Sequence, residues 1–316
     1  MPHRCSSAAW SAILLLTAGP AWAQVQPAGG PAETQWGPLR LWNSVFAGRS
    51  SLAGDARTGT QSVVASISGM ATGADIQLDR ITLLGGSIGL SHQTFSSGSG
   101  NGDSNDVTFT LYGRHTLFDR AYFSEALGYG WHDVETQRTL FSANDFLKAQ
   151  YRSHDIGGRI EGGYGFTLGP ASWISPYAAF VGDSYHQPAY GETSSSHSSI
   201  FAASYKASSI AVTHIELGSR YGDDFTLAPN RSLSIDALVA WEHELDDNPL
   251  VEASFETEPG TDFLLRGTKP AADTALIGAG LRYWTSHGFT VGTRIDARLG
   301  QGTTIFSGTA DLTYLW

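Results

Sequence analysis

Phe306-Ser307-Gly308-Thr309-Ala310-Asp311-Leu312-Thr313-Tyr314-Leu315-Trp316 is an alternating stretch at the carboxyl terminus. Its even positions are apolar or small, and its odd positions are polar apart from Leu315. A period of two predicts a β-strand with one apolar and one polar face. Terminal aromatic side chains suit a membrane–water interface. The stretch alone is compatible with a soluble antiparallel sheet or with an outer-membrane barrel.

The first 23 residues have the pattern of a secretory signal peptide. Arg4 supplies a positive start, residues 12–18 an apolar run, and Ala21-Trp22-Ala23 a small-x-small cleavage site. The run is shorter than the about 20 apolar residues that a spanning helix needs. Cys5 is the only cysteine, so the exported chain is predicted to contain no disulfide and no thiolate metal ligand.

The composition is acidic and rich in glycine. Without Arg4, 18 basic side chains face 30 acidic ones, which argues against nucleic acid as a partner. Glycine accounts for 37 of 316 residues, above the usual share of about 7%. No apolar stretch after the leader is long enough for a transmembrane helix. Insertion into a membrane would therefore require a closed barrel, in which every backbone polar group is paired.

Short turns and longer polar connections alternate along the chain. The tight turns are 78–80, 118–120, 169–171, 228–230 and 286–288, and the longer connections are 49–60, 97–105, 140–147, 188–210, 246–272 and 300–303. Between them lie twelve alternating segments: 40–48, 61–77, 81–96, 106–117, 121–139, 148–168, 172–187, 211–227, 231–245, 273–285, 289–299 and 304–316. Tight periplasmic turns and longer outer loops are typical of outer-membrane barrels. The predicted fold is all-β, a 12-stranded antiparallel transmembrane β-barrel of the Gram-negative outer membrane.

Charged side chains occupy the face opposite the apolar one. In 289–299, for example, Arg294 and Arg298 alternate with Val291 and Ile295. An arginine facing lipid at mid-bilayer costs about 2–4 kcal/mol, so the charged face is assigned to the lumen. The predicted lumen-lining residues are Arg114, Asp155, Arg159, Glu161, Glu216, Arg220, Asp236, Glu242, Arg282, Arg294, Asp296 and Arg298. They are expected to pair with one another, to tune a permeation path, or both.

No catalytic, cofactor or metal site is predicted. His214 with Glu216, or His243 near Asp236, could orient a base beside a serine, but no Gly-x-Ser-x-Gly motif is present. The histidines lack the spacing of a metal motif. The acidic stretch 246–272 is interpreted as a solvated loop that could bridge divalent cations to lipopolysaccharide. The expected protein is not an enzyme.

Several stretches resemble the carboxy-terminal translocator (β-barrel) domain of bacterial autotransporters, the type V secretion proteins. They begin with Leu41-Trp42 through Gly48, Gly69 with 73–75, 84–86 through Gly89, 111–113, 128–132 and 161–164. They continue with 215–218, 240–243, 253–255, Phe263 to Gly267, 275–281 and 312–316. Their order and spacing extend over about 275 residues. The resemblance implies a twelve-stranded outer-membrane barrel, as does the strand count.

The resemblance also implies a domain organisation and a function. Residues 1–23 are the expected signal peptide, 24–39 a short linker and 40–316 the autotransporter barrel domain. The expected function is a hydrophilic pore for passenger export, or an orphan derivative of one. The linker is too rich in proline and glycine for a good helix. The expected protein is a translocator with no passenger in this chain.

Other functions are compatible with the same barrel. The first alternative is a passive small-solute channel or a surface adhesin or structural protein, and the second is an outer-membrane barrel hydrolase. Leu312, Tyr314 and Trp316 resemble the signal that the barrel assembly machinery reads. The expected partners are this machinery, the Sec translocon, outer-membrane lipid and lipopolysaccharide.

Overall fold

The computed structural model describes residues 39–98, 100–118, 120–140, 145–195, 201–245, 250–258, 260–285 and 287–315. The signal peptide, most of the predicted linker and Trp316 lie outside these ranges. The strands of the wall are β1 (Arg40–Leu52), β2 (Val63–Gln77), β3 (Thr82–Ser97), β4 (Gly100–Leu117), β5 (Ala121–Leu140), β6 (Asp145–Tyr164), β8 (Ser172–Gln187), β12 (Ser208–Ala228), β13 (Arg231–Glu244), β16 (Asp273–Trp284), β17 (Phe289–Gly300) and β18 (Thr303–Leu315). The short strands are β7 (Phe166–Thr167), β9 (Tyr190–Gly191), β10 (Thr193–Ser194), β11 (Ala203–Tyr205), β14 (Leu250–Phe255) and β15 (Phe263–Arg266).

The twelve long strands close on themselves. Each pairs antiparallel with its sequence neighbours in the wall, and β18 pairs with β1 from Arg40↔Leu315 to Leu52↔Thr303. The last strand thus completes the ladder and leaves the wall without an open edge. All twelve predicted segments correspond to these strands, so the predicted barrel is confirmed. Along the described ranges, no helix is both long and apolar enough to cross a bilayer.

Five tight turns lie at one end of the barrel, here called the short-turn end. Asn230 (φ 58°) and Gly288 (φ 78°) adopt the left-handed conformation in two of them. Asparagine and glycine are the residues that tolerate this conformation best. The longer connections lie at the opposite end, the long-loop end. The longest connections all lie at the long-loop end, although β3–β4 and β17–β18 are joined there by residues 98–99 and 301–302 alone.

The outer face of the wall is apolar. Leu111, Val239 and Ile295 expose 68%, 62% and 65% of their surface. Residues on either side of them in sequence point inward, as the period of two predicts. Glu125 is an exception on this face, and it pairs with His115 across 3.0 Å. An exposed apolar wall of this extent requires a nonaqueous environment.

Two predicted connections are much shorter in the structure. β3 extends to Ser97 and β4 begins at Gly100, although 97–105 was assigned to a loop. β5 and β6 likewise continue to Leu140 and from Asp145. The β3–β4 ends are polar throughout, and the β5–β6 ends mix polar residues with Leu140, Phe146 and Leu147, so neither hairpin shows a clean alternation. The sequence pattern did not distinguish a protruding hairpin from a loop.

The two longest connections fold into a second sheet. Its strand order is β15-β14-β11-β9, and we call these four strands the roof. Val251, Ala253 and Leu265 of the roof are buried against Ile210 of the wall. The interpretation of 246–272 as a solvated loop is therefore wrong. The apolar residues of this stretch are interspersed with acidic residues, so the sequence pattern did not reveal them.

Inward-facing aromatic rings cover glycines on the adjacent strand. A Cβ at Gly85 would lie 2.4 Å from the Tyr112 ring, and one at Gly222 would lie 2.4 Å from Trp173. Each glycine and its ring are direct cross-strand partners. Other pairs of this kind are Trp42 with Gly73, Phe46 with Gly69, Phe95 with Gly102, Tyr122 with Gly163 and Tyr177 with Gly218. Close packing of rings onto backbone accounts for part of the glycine excess.

Candidate functional site: the barrel lumen

All twelve predicted lumen-lining residues face the interior. They form ion-pair groups at different places on the wall rather than one continuous row. The sequence identified the residues, because the charged phase of each strand is inward. It did not identify the pairings, because these join strands that are far apart in sequence.

Glu161 is the centre of the largest group. Its carboxylate accepts hydrogen bonds from Arg159 (2.6 Å) and from Arg220 (2.5 and 2.9 Å). The hydroxyl of Tyr122 donates to the same carboxylate (2.7 Å). These contacts connect β5, β6 and β12 along one side of the lumen, where only β8 separates β6 from β12. Glu161 exposes only 5% of its surface, and such a buried charge must be paired.

Glu216 extends this group along β12. Arg159 donates to its Oε2 (2.7 Å), and the Tyr177 hydroxyl donates to its Oε1. The Arg220 guanidinium lies 3.9 Å above the Tyr177 ring. Two arginines, two glutamates and two tyrosines thus form one buried network. The tyrosines were missed from the sequence because aromatic residues were read as lipid-facing.

A second group joins β13 and β17. Arg294 donates to Asp236 (2.6 Å) and to Asp296 (3.0 Å). Nearer the long-loop end, Arg298 donates to Glu242 (2.7 Å). The charges are again of mixed sign and paired within the lumen wall. The prediction of a mixed-sign network therefore describes the arrangement.

A third group surrounds His132 on β5. Its Nδ1 lies 2.9 Å from Asp106, and its Nε2 lies 2.5 Å from Asp155. One imidazole thereby connects carboxylates on the two adjacent strands. Asp155 was predicted for the lumen, whereas Asp106 and His132 were not. Their meeting with Asp155 depends on the register of β4, β5 and β6, which a single sequence does not reveal.

A further polar group lies near the short-turn end. Arg40 donates to Asp75 (2.7 Å), and Tyr112 donates to the same carboxylate (3.0 Å). The Trp42 indole donates to the Tyr112 hydroxyl (2.7 Å). This group connects β1, β2 and β4. The first strand had no clear phase in the sequence, and Trp42 was therefore not placed in the lumen.

Arg114 and Arg282 complete the predicted set. Arg114 lies 4.2 Å above the Tyr122 ring, and Arg282 lies 5.9 Å from the Trp284 ring. Guanidinium groups at these distances are attracted by the face of an aromatic ring. Both residues keep positive charge at the inner wall of the barrel.

Among the residues that the structure describes, one group of lumen side chains has possible metal-ligand chemistry. Ligand atoms of His214, Glu216 and Glu242 lie within 4.8 Å of one another. Arg159 and Arg298 already pair with the two carboxylates, and their positive charge opposes a cation there. The suggested partnership of His243 with Asp236 is wrong. His243 lies on the outer face, 2.8 Å from Asp273.

The long-loop end of the lumen is apolar. Val63, Phe95, Val134 and Tyr185 form a buried cluster between the strands, and Tyr190 of the roof packs against it. Such packing removes water from this part of the interior. Most of the charged groups occupy the lower and middle lumen, whereas the upper lumen holds this apolar cluster together with the buried Arg138–Glu192 pair.

Comparison with known proteins identifies the family. The sequence model described as "Autotransporter beta-domain" matches residues 41–296. The chain belongs to this autotransporter β-domain family. No sequence among the curated proteins compared is significantly similar to it.

Solved structures share the architecture at low sequence identity. The translocator domain of autotransporter NalP from Neisseria meningitidis superposes with a TM-score of 0.72 at 15% identity, covering 94% of this chain and 92% of that one. The β domain of the Bordetella autotransporter BrkA gives 0.65 at 16%, covering 88% and 100%. The transport unit of AIDA-I from Escherichia coli gives 0.58 at 13%, covering 94% and 95%.

Family and fold together place the barrel in the Gram-negative outer membrane. The short-turn end is then periplasmic, and the long-loop end with its roof is external. The exposed apolar wall contacts lipid. Leu312 and Tyr314 of the terminal strand lie on that wall, and the Tyr314 ring packs 4.7 Å from Phe289.

Proposed function

We propose that this chain acts as an autotransporter translocator whose lumen conducts a passenger polypeptide across the outer membrane. The observation that carries the proposal is a closed twelve-stranded wall of this family with a charged interior. An unfolded polypeptide presents unpaired amides and charges, and polar walls can solvate them. A lumen of mixed sign also avoids trapping one charge type.

The remaining expectations enter the proposal as parts of the same pathway. Residues 1–23 direct the chain to the Sec translocon and are then removed. The terminal strand, with Leu312, Tyr314 and Trp316, is recognised by the barrel assembly machinery. Lipid and lipopolysaccharide surround the wall. The protein carries out no catalysis and needs no cofactor.

Surface exposure of a fused segment tests export. An epitope placed directly after Gln24 would be digested by proteinase K on intact cells if the amino-terminal segment crosses the barrel. The matched control carries the same epitope in the periplasmic turn at Asp79. Export predicts digestion of the first epitope and protection of the second. Protection of both epitopes in a folded barrel would reject the proposal.

A passive small-solute channel is the alternative that shares this architecture. The toluene transporter TbuX from Ralstonia pickettii superposes with a TM-score of 0.51 at 11% identity, covering 94% of this chain and 93% of that one. That likeness concerns the fold alone. Solute flux into liposomes containing the wild-type barrel separates the two functions. Rapid, passenger-independent uptake would favour the channel.

A further inference from the structure

We propose that the roof is a gate, which closes the external mouth through a latch between Glu192 and Arg138 and must be released for transit. This inference concerns the regulation of the proposed pore. Only the biological role of the gate rests on that proposed function. It is carried by contacts among described residues, and its test requires no passenger.

The latch is a buried two-pronged ion pair. Arg138 of β5 donates through Nε and Nη2 to the two carboxylate oxygens of Glu192 (3.1 and 2.5 Å). Glu192 lies directly after β9 in the roof connection. The side chains of Arg138 and Glu192 expose only 9% and 6% of their surface. A bidentate pair fixes both distance and orientation, and it ties the roof to the inside of the wall.

The same carboxylate organises the roof itself. The backbone amide of Ala203 donates to Glu192 Oε2 (3.0 Å), and the Tyr205 hydroxyl donates to Oε1 (3.4 Å). Glu192 therefore joins two segments of the roof to the wall at one point. Loss of Arg138 would leave the Glu192 carboxylate buried without a charged partner and with only these two neutral donors, whereas in an opened roof water could solvate it.

Three stacked rings hold the roof beside the latch. Tyr190 of β9 lies 4.2 Å from the Tyr151 ring of the wall and 4.6 Å from the Tyr205 ring of β11. Tyr190 and Tyr205 are also cross-strand partners within the roof, so the Tyr151–Tyr190 stack is the ring contact that joins the roof to the wall. The stack and the latch both join wall to roof. The β6–β10 pairing (Thr193↔Lys148, Ser194↔Leu147) joins the same connection to the wall through the main chain, so it must part with them if the mouth opens here.

A separate contact anchors the other side of the roof connection. The Thr268 hydroxyl donates to the Gln61 carbonyl (2.7 Å) in the connection between β1 and β2. The closed roof thus crosses the mouth between β5–β6 and the β1–β2 connection. A single neutral hydrogen bond is weaker than the charged latch. Apolar packing of Val251 and Leu265 against Ile210 also holds the roof, on the β14–β15 side. Release at Arg138 is therefore expected to open the mouth beside β5 and β6, where β9 lies.

Planar-bilayer recordings of the full-length barrel test the gate. Arg138→Ala should raise the open probability in KCl about tenfold or more relative to wild type. Arg138→Lys should give a smaller increase, because one ammonium can still meet one carboxylate oxygen. Glu135→Ala, an outer-face substitution on the same strand, is the matched control and should behave as wild type.

An engineered disulfide supplies the reverse experiment. Lys148 and Thr193 are direct cross-strand partners of β6 and β10, so cysteines at both positions can join the roof connection to the wall. In the Arg138→Ala background, the oxidised pair should return the open probability to the wild-type value, and reduction should restore the increase. Cysteines at Glu135 and Gln150, partners within the wall, are the disulfide control.

The outcomes separate the gate from the proposed export function. Heat-modifiable migration first establishes that each variant is folded, and trypsin cleavage at Lys206 reports roof release. Wild-type current in folded Arg138→Ala, or absence of current in every variant, would overturn the gate. If the current depends on the Arg138–Glu192 pair while the amino-terminal epitope remains protected from proteinase K, the gate is supported and export is rejected.

Discussion

The periplasmic half of the lumen holds most of the buried ions, whereas the external half holds an apolar cluster and the single Arg138–Glu192 pair described above. In the periplasmic half, Glu161 of β6 and Arg220 of β12 pair as buried ions over the intervening strand β8. In the external half, Val134 and Tyr190 belong to an apolar cluster closed by the roof. Buried ions are sensitive to the loss of a partner, whereas an apolar lid can detach and redock as a unit. The difference separates what holds the wall together from what covers its mouth.

The largest expected effect is in the ionic half. Glu161→Ala removes the acceptor of Arg159 and Arg220, and leaves buried positive charge without its partner. The free energy of unfolding should fall by about 3–5 kcal/mol, measured by urea denaturation in phospholipid vesicles. Glu135→Ala removes an exposed acceptor of Gln150 and is the control. Equal stability of the two variants would contradict the importance of the central network.

The second largest effect concerns the docking of the roof on the wall. Leu265 is buried in the roof, and its neighbour Leu264 is 66% exposed. Leu265→Ala should reduce the free energy of roof docking by about 2–3 kcal/mol. This is the lower part of the usual range for replacing a buried leucine by alanine, because the roof can relax. Trypsin cleavage at Lys206 should accelerate, while urea unfolding of the wall is unchanged. Leu264→Ala should change neither measurement. Loss of wall stability in Leu265→Ala would show that the halves are not separable.

A smaller effect is expected where an inward ring covers glycine. Gly222→Ala would place a Cβ 2.4 Å from Trp173, and should cost about 1–2 kcal/mol of unfolding free energy. The cost should decrease in a Trp173→Leu background. Gly182→Ala is the control, because its Cβ would meet Thr213 at an ordinary 3.5 Å. If Gly222→Ala cost the same unfolding free energy in the Trp173→Leu background, the cost would not arise from contact with the indole.

The smallest expected effect concerns an exposed ion pair of the roof. Lys206 donates to Asp262 (2.7 Å), which lowers the pKa of Asp262 and raises that of Lys206. The stabilisation is present at neutral pH and is lost as pH falls through the lowered carboxyl pKa. Both groups are solvated, so Asp262→Asn should change the proteolysis rate of the roof by no more than about twofold. A much larger change would mean that surface charge closes the roof.

The sequence predicted the wall well because its signals are local. Twelve alternating segments, five tight turns and the inward phase of Arg294 and Glu161 all follow from residues close together in sequence. The register that sets Tyr112 against Gly85 or His132 against Asp155 depends on neighbouring strands. Pairings of this type could be expected from the sequence, but the particular residues that meet could not.

The roof was not predicted because its signals are distant and weak. Val251 and Leu265 alternate with acidic and polar residues in a stretch with the composition of a solvated loop. Arg138 and Glu192 are 54 residues apart, and nothing local indicates that they meet. A long connection rich in charge is compatible with a free loop or with a docked sheet, and only tertiary packing distinguishes them.

Cysteine accessibility in intact cells tests the central account of a periplasm-facing ionic lumen under an external roof. With Cys5 replaced by serine, single cysteines at Asp311 in the lower lumen and at Glu258 on the external surface would be treated with a membrane-impermeant maleimide. The account predicts rapid labelling of Glu258→Cys from outside, and labelling of Asp311→Cys only after the reagent enters the periplasm. Equal labelling of both from outside would contradict it.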